Sequence, residues 1–292
     1  MEVLIFCYNR SFGLSRLLDS IRKSQNSNAC QYHFYIDGKR SESDSLEQDK
    51  ITREINSFIN EGYSSRVVMR EYNYGLSRNI ISGVTEVFEF SNQLIVLEDD
   101  LIVGKYFFNF MSKSLDYYKD CSQIFSINGF SLDVSNLDLN EEVYVSPRFF
   151  SWGWATWKSR WTLIDWDLEN WSEVLSTKND FDRTCGSDCY KMLNRWRNGK
   201  NDSWAIRFAF QQFRSAGFSL TPKFSLIMNV GFDNSGENCK QWNRFKSDFR
   251  EYYDPDPALL KISDNAGIFE YLRSYHTITY RIYVRVRYYL GL

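Results

Sequence analysis

Three carboxylates stand in a row at Glu98-Asp99-Asp100, directly behind the apolar run Leu94-Ile95-Val96-Leu97. Like charges this close repel one another unless a cation lies between them, and hard oxygen ligands suit Mg²⁺ or Mn²⁺. A solvated acidic turn has the same spacing, so the triplet alone leaves both readings open. Two other polar groups likewise follow apolar runs, Asn9-Arg10 after Val3–Cys7 and Asp37-Gly38 after Gln31–Ile36. An arginine, an isolated aspartate and an acid cluster in one crevice suit a nucleoside diphosphate. Arg10 would pair with phosphate or base, Asp37 with an N–H of the base, and the cluster with metal and ribose.

The elements that must bring these groups together can be read from periodicity. Val3–Cys7, Gln31–Ile36, Arg66–Met69 and the run from Leu94 are short and apolar, as expected of strands buried on both faces of a parallel sheet. Between them, Leu14, Leu17, Leu18 and Ile21 fall at helical spacing, and so do Ile51, Ile55, Phe58 and Ile59 within a helix predicted over Ser45–Gly62. A third helix carries Ile80, Ile81, Val84, Val87 and Phe88. Strands alternating with helices predict an α/β fold, a mostly parallel Rossmann-like central sheet flanked by helices. Ionised carboxylates cannot continue into such a core unpaired. They must emerge at the carboxyl ends of the strands, the edge on which open α/β sheets bind ligands. Gly13 stands alone after the first strand, so the dinucleotide fingerprint is missing, and there is no Walker loop.

Composition narrows the class. The 292 residues carry a net charge of −2, which argues against nucleic-acid binding through overall charge, and 43% hydrophobic residues are ample for a packed core. The first residues already read as a strand, with no basic segment or apolar stretch of signal type. Six scattered cysteines are then expected as free thiols in a cytoplasmic protein, and two histidines give a zinc site little support.

Several motifs together resemble the GT-A glycosyltransferases, most closely the N-acetylglucosaminyltransferase I family and more broadly the bacterial family-2 enzymes. They are Cys7-Tyr8-Asn9-Arg10, Asp37-Gly38, Asn73-Tyr74-Gly75-Leu76-Ser77-Arg78-Asn79, Val96-Leu97-Glu98-Asp99-Asp100-Leu101, Ser126-Ile127-Asn128-Gly129 and Phe149-Phe150-Ser151-Trp152-Gly153-Trp154. The resemblance implies that Asp100 ligates Mn²⁺ or Mg²⁺ while Asp99 and Glu98 contact the ribose and donor sugar. It also implies that Arg10 and Asp37 hold the nucleotide, with Arg78 or Asn79 near base or phosphates. A capped helix start with a solvated arginine is the other reading of Arg78-Asn79. Trp152-Gly153-Trp154 is expected at the sugar, because glycine between two indoles permits close approach of a ligand or another backbone. Which indole faces the sugar is not readable, and Trp157 and Trp161, four apart, read as core.

An inverting transfer needs a carboxylate base within reach of the acceptor hydroxyl. The resemblance points to Asp202, which precedes an amphipathic helix. Asp202 equally suits that helix's N-cap, and Asp188 is the runner-up base. Ile227 to Gly236 reads as a loop closing over the donor, with Asn229, Asp233, Asn234 or Ser235 where relatives carry a histidine. After Glu270 the chain has no acid, and Arg273, Arg281, Arg285 and Arg287 interleave with aromatics. That tail either lies on an anionic membrane surface, placing the protein on the inner face of the cytoplasmic membrane, or closes the domain with its arginines solvated.

The expectation is therefore a transferase domain over residues 1–250 and a C-terminal extension over 251–292. Residues 1–128 form the nucleotide-sugar half, and 129–250 form the acceptor and catalytic half. The expected activity moves a sugar from a UDP-sugar to a glycan or lipid-linked oligosaccharide in surface polysaccharide biosynthesis. A sugar nucleotidyltransferase and a non-catalytic carbohydrate-binding relative are the alternatives.

Overall fold

The computed structural model describes residues 1–232, 245–258 and 266–290. Its first half alternates as expected: β1 (Glu2–Cys7), α1 (Ser11–Lys23), β2 (Gln31–Ile36), α2 (Ser43–Asn60), β3 (Ser65–Met69), α3 (Leu76–Val87) and β4 (Gln93–Glu98). The second half is less regular. It runs β5 (Leu101–Val103), α4 (Phe107–Tyr118), β6 (Ile124–Asn128), β7 (Val143–Ser146), β8 (Trp154–Trp157) and α5 (Lys158–Trp161). It continues through α6 (Trp171–Cys185), α7 (Cys189–Arg197), α8 (Trp204–Arg214), β9 (Phe218–Pro222), β10 (Ile227–Asn229), α9 (Ala266–Ser274) and α10 (Ile278–Tyr289).

Among the described residues, eight strands form one sheet in the order β3-β2-β1-β4-β8-β6-β9-β7. Only β8 and β7 run against the rest, so the sheet is mixed but mostly parallel. The decisive feature is at β1, which pairs in parallel with β2 on one side and β4 on the other. The chain moves outward from β1 to β3, then crosses back to lay down β4 on the far side. The segments that follow β1 and β4, α1 and β5–α4, pack on the same face of the sheet, so the two loops meet at the carboxyl edge where the strand order reverses.

Both faces of the sheet are covered. Along β1, Val3, Ile5 and Cys7 join one core with Leu14 of α1, Ile55 of α2 and Met111 of α4. Leu4 and Phe6 point into a second core with Val84 of α3, Phe181 of α6 and Phe208 of α8. Each fully buried aliphatic side chain stabilises the fold by about 1.5–3 kcal/mol, which is why the apolar spacing dictates where α1–α3 sit. α9 adds Ile268 and Leu272 to the first core, and Tyr275 just beyond it joins them. The hydroxyls of Tyr271 and Tyr275 donate to the Asp133 carbonyl at 3.1 and 2.9 Å.

Part of the expected closing loop is instead a strand, because Ile227–Asn229 forms β10 and pairs antiparallel with β5. Asp233, Asn234, Ser235 and Gly236 lie outside the described residues. Cys7, Cys30, Cys121, Cys185 and Cys189 are free thiols, and Cys239 lies outside the described residues. Among the described residues, no helix is long and apolar enough to cross a membrane.

Candidate functional site

Arg10 leaves β1 at the point where the acid triplet leaves β4, and the two meet. Its guanidinium sits 2.5 Å from Asp99 Oδ1 and 3.1 Å from Asp100 Oδ2. Asp99 is almost sealed, at 2% exposure, and also accepts the Tyr8 N–H at 3.3 Å. α1 can pack this close because its first turn contains Gly13, where a Cβ would stand 2.5 Å from the Asp99 carbonyl. The lone glycine thus serves helix-to-loop approach rather than a dinucleotide fingerprint.

Three carboxylates against one guanidinium leave two negative charges uncompensated when all are ionised. Burial pushes Glu98 up to about 8, with Asp100 adding to the rise. Burial likewise pushes Asp99 up to about 7, against the downward pull of Arg10. Arg10, despite its own burial, is held above its ordinary value by Asp99 and Asp100. Asp100 is the more accessible of the two aspartates, with its side chain 13% exposed against 3% for Asp99. Its carbonyl accepts the Val230 N–H at 2.8 Å, and Gly231 lies against its carboxylate. The strand β10 therefore ends on the acid the resemblance assigns to a metal. Among the described residues, no cluster of three or more His, Cys, Asp or Glu forms a protein-only cage for a metal ion. The all-oxygen set and its excess negative charge fit a hard divalent cation held by one or two carboxylates with substrate phosphates completing the shell.

Asp37 ends β2 beside this crevice, but its oxygens are occupied by backbone. Oδ1 accepts the N–H groups of Gly38 at 2.9 Å and Tyr74 at 2.7 Å, and Oδ2 accepts Gly75 N–H at 2.9 Å. It holds the loop after β3 against the loop after β2. Asn79 is similarly engaged, buried in α3 with its side-chain oxygen accepting from Arg70 Nε at 3.1 Å. Arg78 is exposed, its guanidinium over the Tyr74 ring at 4.3 Å. Of the residues expected at the nucleotide from this loop, Arg78 presents a charged group to solvent.

The Trp152-Gly153-Trp154 turn separates its two indoles. Trp154 has no exposed surface and packs among Phe149, Trp161, Trp204 and Phe208. A sugar cannot stack on it, which corrects the expectation for this residue: alternation along β8 turns it into the core. Trp152 is half-buried, edge-on to Phe130, Phe232 and Phe245. Gly153 adopts φ +59°, and a Cβ there would stand 2.6 Å from Ile227 Cδ1. The glycine therefore admits the side chain of β10, and its carbonyl takes the Gly129 N–H at 2.7 Å. Trp157 and Trp161 are core, as expected.

Asp202 is exposed, 68% at its side chain, and lies 3.9 Å from Arg207. It does not cap α8. Ser203 does, accepting the Ile206 N–H. Arg207 in turn donates to Ser77 Oγ at 2.6 Å and to the Trp166 carbonyl at 2.8 Å. Ser77 lies in the first turn of α3, so this bridge ties the start of α8, next to Asp202, to the start of α3. Asp188, by contrast, is buried against Arg148, with Oδ1 2.7 Å from Nη1 and Oδ2 3.4 Å from Nη2. Its carboxylate is committed to that ion pair, which removes it as an alternative base.

One functional group escaped the sequence reading. Asp44 accepts from Tyr8 Oη and Asn9 Nδ2 at 2.8 Å each, and from the N–H groups of Arg40 and Ser41 at 3.0 and 3.1 Å. These bonds hold its carboxyl down to about 2. Together with Gln48, which donates to the Tyr8 and Asp37 carbonyls, it ties the loop after β1 to that after β2. The available signal was Ser41-x-x-Asp44 before an amphipathic run, a turn-and-helix-start pattern.

No family model and no curated protein matches this chain. Solved structures similar to it include TarS residues 1–349 from S. aureus in complex with UDP, at 11% identity and a TM-score of 0.45. Others are the mannosyltransferase PcManGT from Pyrobaculum calidifontis with GDP-Man and Mn²⁺, at 10% and 0.40, and the galactosyltransferase LgtC with donor and acceptor sugar analogues, at 12% and 0.36. The matches cover 77%, 54% and 61% of this chain, which spans 59%, 44% and 66% of those chains respectively.

Proposed function

We propose that this protein is a glycosyltransferase that takes a nucleoside-diphospho-sugar, most simply a UDP-sugar, and transfers the sugar with inversion to a hydroxyl of a glycan or lipid-linked acceptor. The observation that carries the reading is the meeting of Arg10 with Asp99 and Asp100 at the reversal of strand order, ringed by the loops after β1, β2 and β3. Arg10 and the exposed Arg78 supply positive charge for a diphosphate. Asp37 acts by fixing the loop that presents Tyr74 and Arg78. Glu98 would read the donor hydroxyls, Asp99, sealed on Arg10 and the Tyr8 N–H, would hold that arginine in place, and Trp152 is the indole of its turn left with accessible surface. Asp100 would hold a Mn²⁺ or Mg²⁺ ion, and such an ion supplies charge neutralisation at the leaving diphosphate.

Asp202 is the base in this reading. It is exposed, open to accept the proton of an acceptor hydroxyl as its oxygen attacks the anomeric carbon and the nucleoside diphosphate departs. Arg207, 3.9 Å away, is itself bonded to Ser77 of α3. Surface polysaccharide biosynthesis is the setting that this donor and acceptor chemistry suits.

The test is a panel of nucleotide sugars with Mn²⁺, read as sugar release and nucleoside diphosphate formation. Sugar release with nucleoside diphosphate supports a transferase; pyrophosphate formed when a nucleoside triphosphate and a sugar 1-phosphate are supplied instead would point to a nucleotidyltransferase, and binding without turnover to a carbohydrate-binding relative. Asp100→Ala is expected to abolish metal-dependent donor binding measured by calorimetry. Unchanged metal dependence would refute the role given to Asp100.

A further inference from the structure

The helix α10 exposes an apolar face that the other described residues do not cover. Ile282 (59% exposed), Tyr283, Val286, Tyr289 and Leu290 (66%) all stand in solvent. At about 100° per residue they fall within an arc of roughly 120°, the width of an apolar stripe that ordinarily faces a core. Tyr280, Arg281 and Val284, on the opposite side, are half-buried, and the Tyr280 ring meets Tyr275 at 4.8 Å. The helix is thus seated on the protein by one side and presents its more apolar side outward.

Charge decides what that face suits. Arg285 and Arg287 each stand about 40° beyond one margin of the stripe. Arg287 donates to Tyr283 Oη at 3.0 Å, and Arg285 lies over the Tyr289 ring at 5.9 Å, so both arginines border the apolar residues. From Tyr271 onward the sequence holds four arginines and no acid. A second copy placed face to face on this stripe would set arginines against arginines, which two-fold symmetry makes unavoidable. A bilayer with anionic headgroups accepts both components at once, taking the apolar stripe into the headgroup boundary and the flanking arginines onto phosphates.

We infer that α10 is an in-plane membrane-docking helix that binds anionic lipid surfaces through Ile282, Tyr283, Val286, Tyr289 and Leu290, flanked by Arg285 and Arg287. This rests on α10 alone and is independent of the reaction assigned to the acid crevice.

Co-sedimentation of the full chain with phosphatidylcholine vesicles, with and without phosphatidylglycerol, tests it without any turnover. Binding is expected with phosphatidylglycerol and to fall steeply with added salt. Arg285→Gln/Arg287→Gln should weaken binding about 30-fold, a factor of about five per arginine. Val286→Asp/Leu290→Asp should bring binding below detection, and because these positions are exposed, the thermal midpoint should stay at its wild-type value. Absence of wild-type binding to anionic vesicles would overturn the inference, as would equal binding by the aspartate variant. A concentration-dependent dimer by light scattering that disappears in Val286→Asp/Leu290→Asp would assign the face to a second copy and overturn it as well.

Discussion

Replacing Arg10 with methionine probes the charge balance of the acid crevice directly. The substitution keeps much of the apolar stem but removes the cation 2.5 Å from Asp99 and 3.1 Å from Asp100. One consequence does not depend on pH: the loss of a charge-assisted hydrogen bond to Asp100, about 1.5 kcal/mol at the low end of the range because Arg10 is 23% exposed. The other follows from Asp99, whose carboxyl sits at about 7 with Arg10 pulling it downward. A folded pKa above the unfolded value means the folded state binds more protons, so stability falls as pH rises from the unfolded value to the folded one. In the wild type that fall ends near pH 7. Without Arg10 the carboxyl titrates higher, and the fall continues.

Below pH 7 both proteins hold the proton and the gap between them is constant. Above it the gap widens by about 1.4 kcal/mol per pH unit, reaching about 3 kcal/mol in all near pH 8. Urea unfolding followed by tryptophan fluorescence at about pH 6 and about pH 8 measures both values. A destabilisation that is the same at the two pH values would refute the assignment of Arg10 as the counter-charge of Asp99.

Three further outcomes follow from the same geometry. Asp202→Asn should lower the transfer rate by about 10²–10⁴-fold while donor binding by calorimetry stays unchanged; full activity would remove Asp202 as the base. Trp154→Ala should cost about 3–5 kcal/mol in chemical unfolding, since the indole is fully buried between β8 and α8, and a near-neutral effect would contradict its core placement. For Asp44, the folded carboxyl is depressed to about 2, so its stabilisation is complete above the unfolded value and fades as pH falls toward 2. Asp44→Asn should therefore flatten the acid limb of the thermal stability profile between about pH 4 and about pH 2, and an unchanged limb would show that the clamp on Tyr8 and Asn9 contributes nothing.

Local pattern carried far in the first half of this chain because each element there is specified by its own neighbours. Apolar runs placed β1, β2, β3 and β4 within a residue or two, and helical spacing found the buried faces of α1, α2 and α3. The carboxyl-edge argument also put Arg10, Asp37 and the triplet on one rim, since parallel strands end on the same side. β10 was read as loop, because a three-residue strand is recognisable only through its partner β5.

Residue types and spacing by themselves determined the α/β architecture, the crevice and the acids in it, since these depend on the period of burial and on the cost of leaving charge inside a core. Tertiary structure alone decided how each polar group is occupied. It committed Asp37 to backbone amides, Asn79 to Arg70 and Asp188 to Arg148, turned Trp154 inward, and left Asp202 and Arg78 exposed. The physical reason is that hydrogen-bond partners distant in sequence leave no periodic trace, so whether a carboxylate is spent on the fold or open to a ligand is settled only when the chain closes around it.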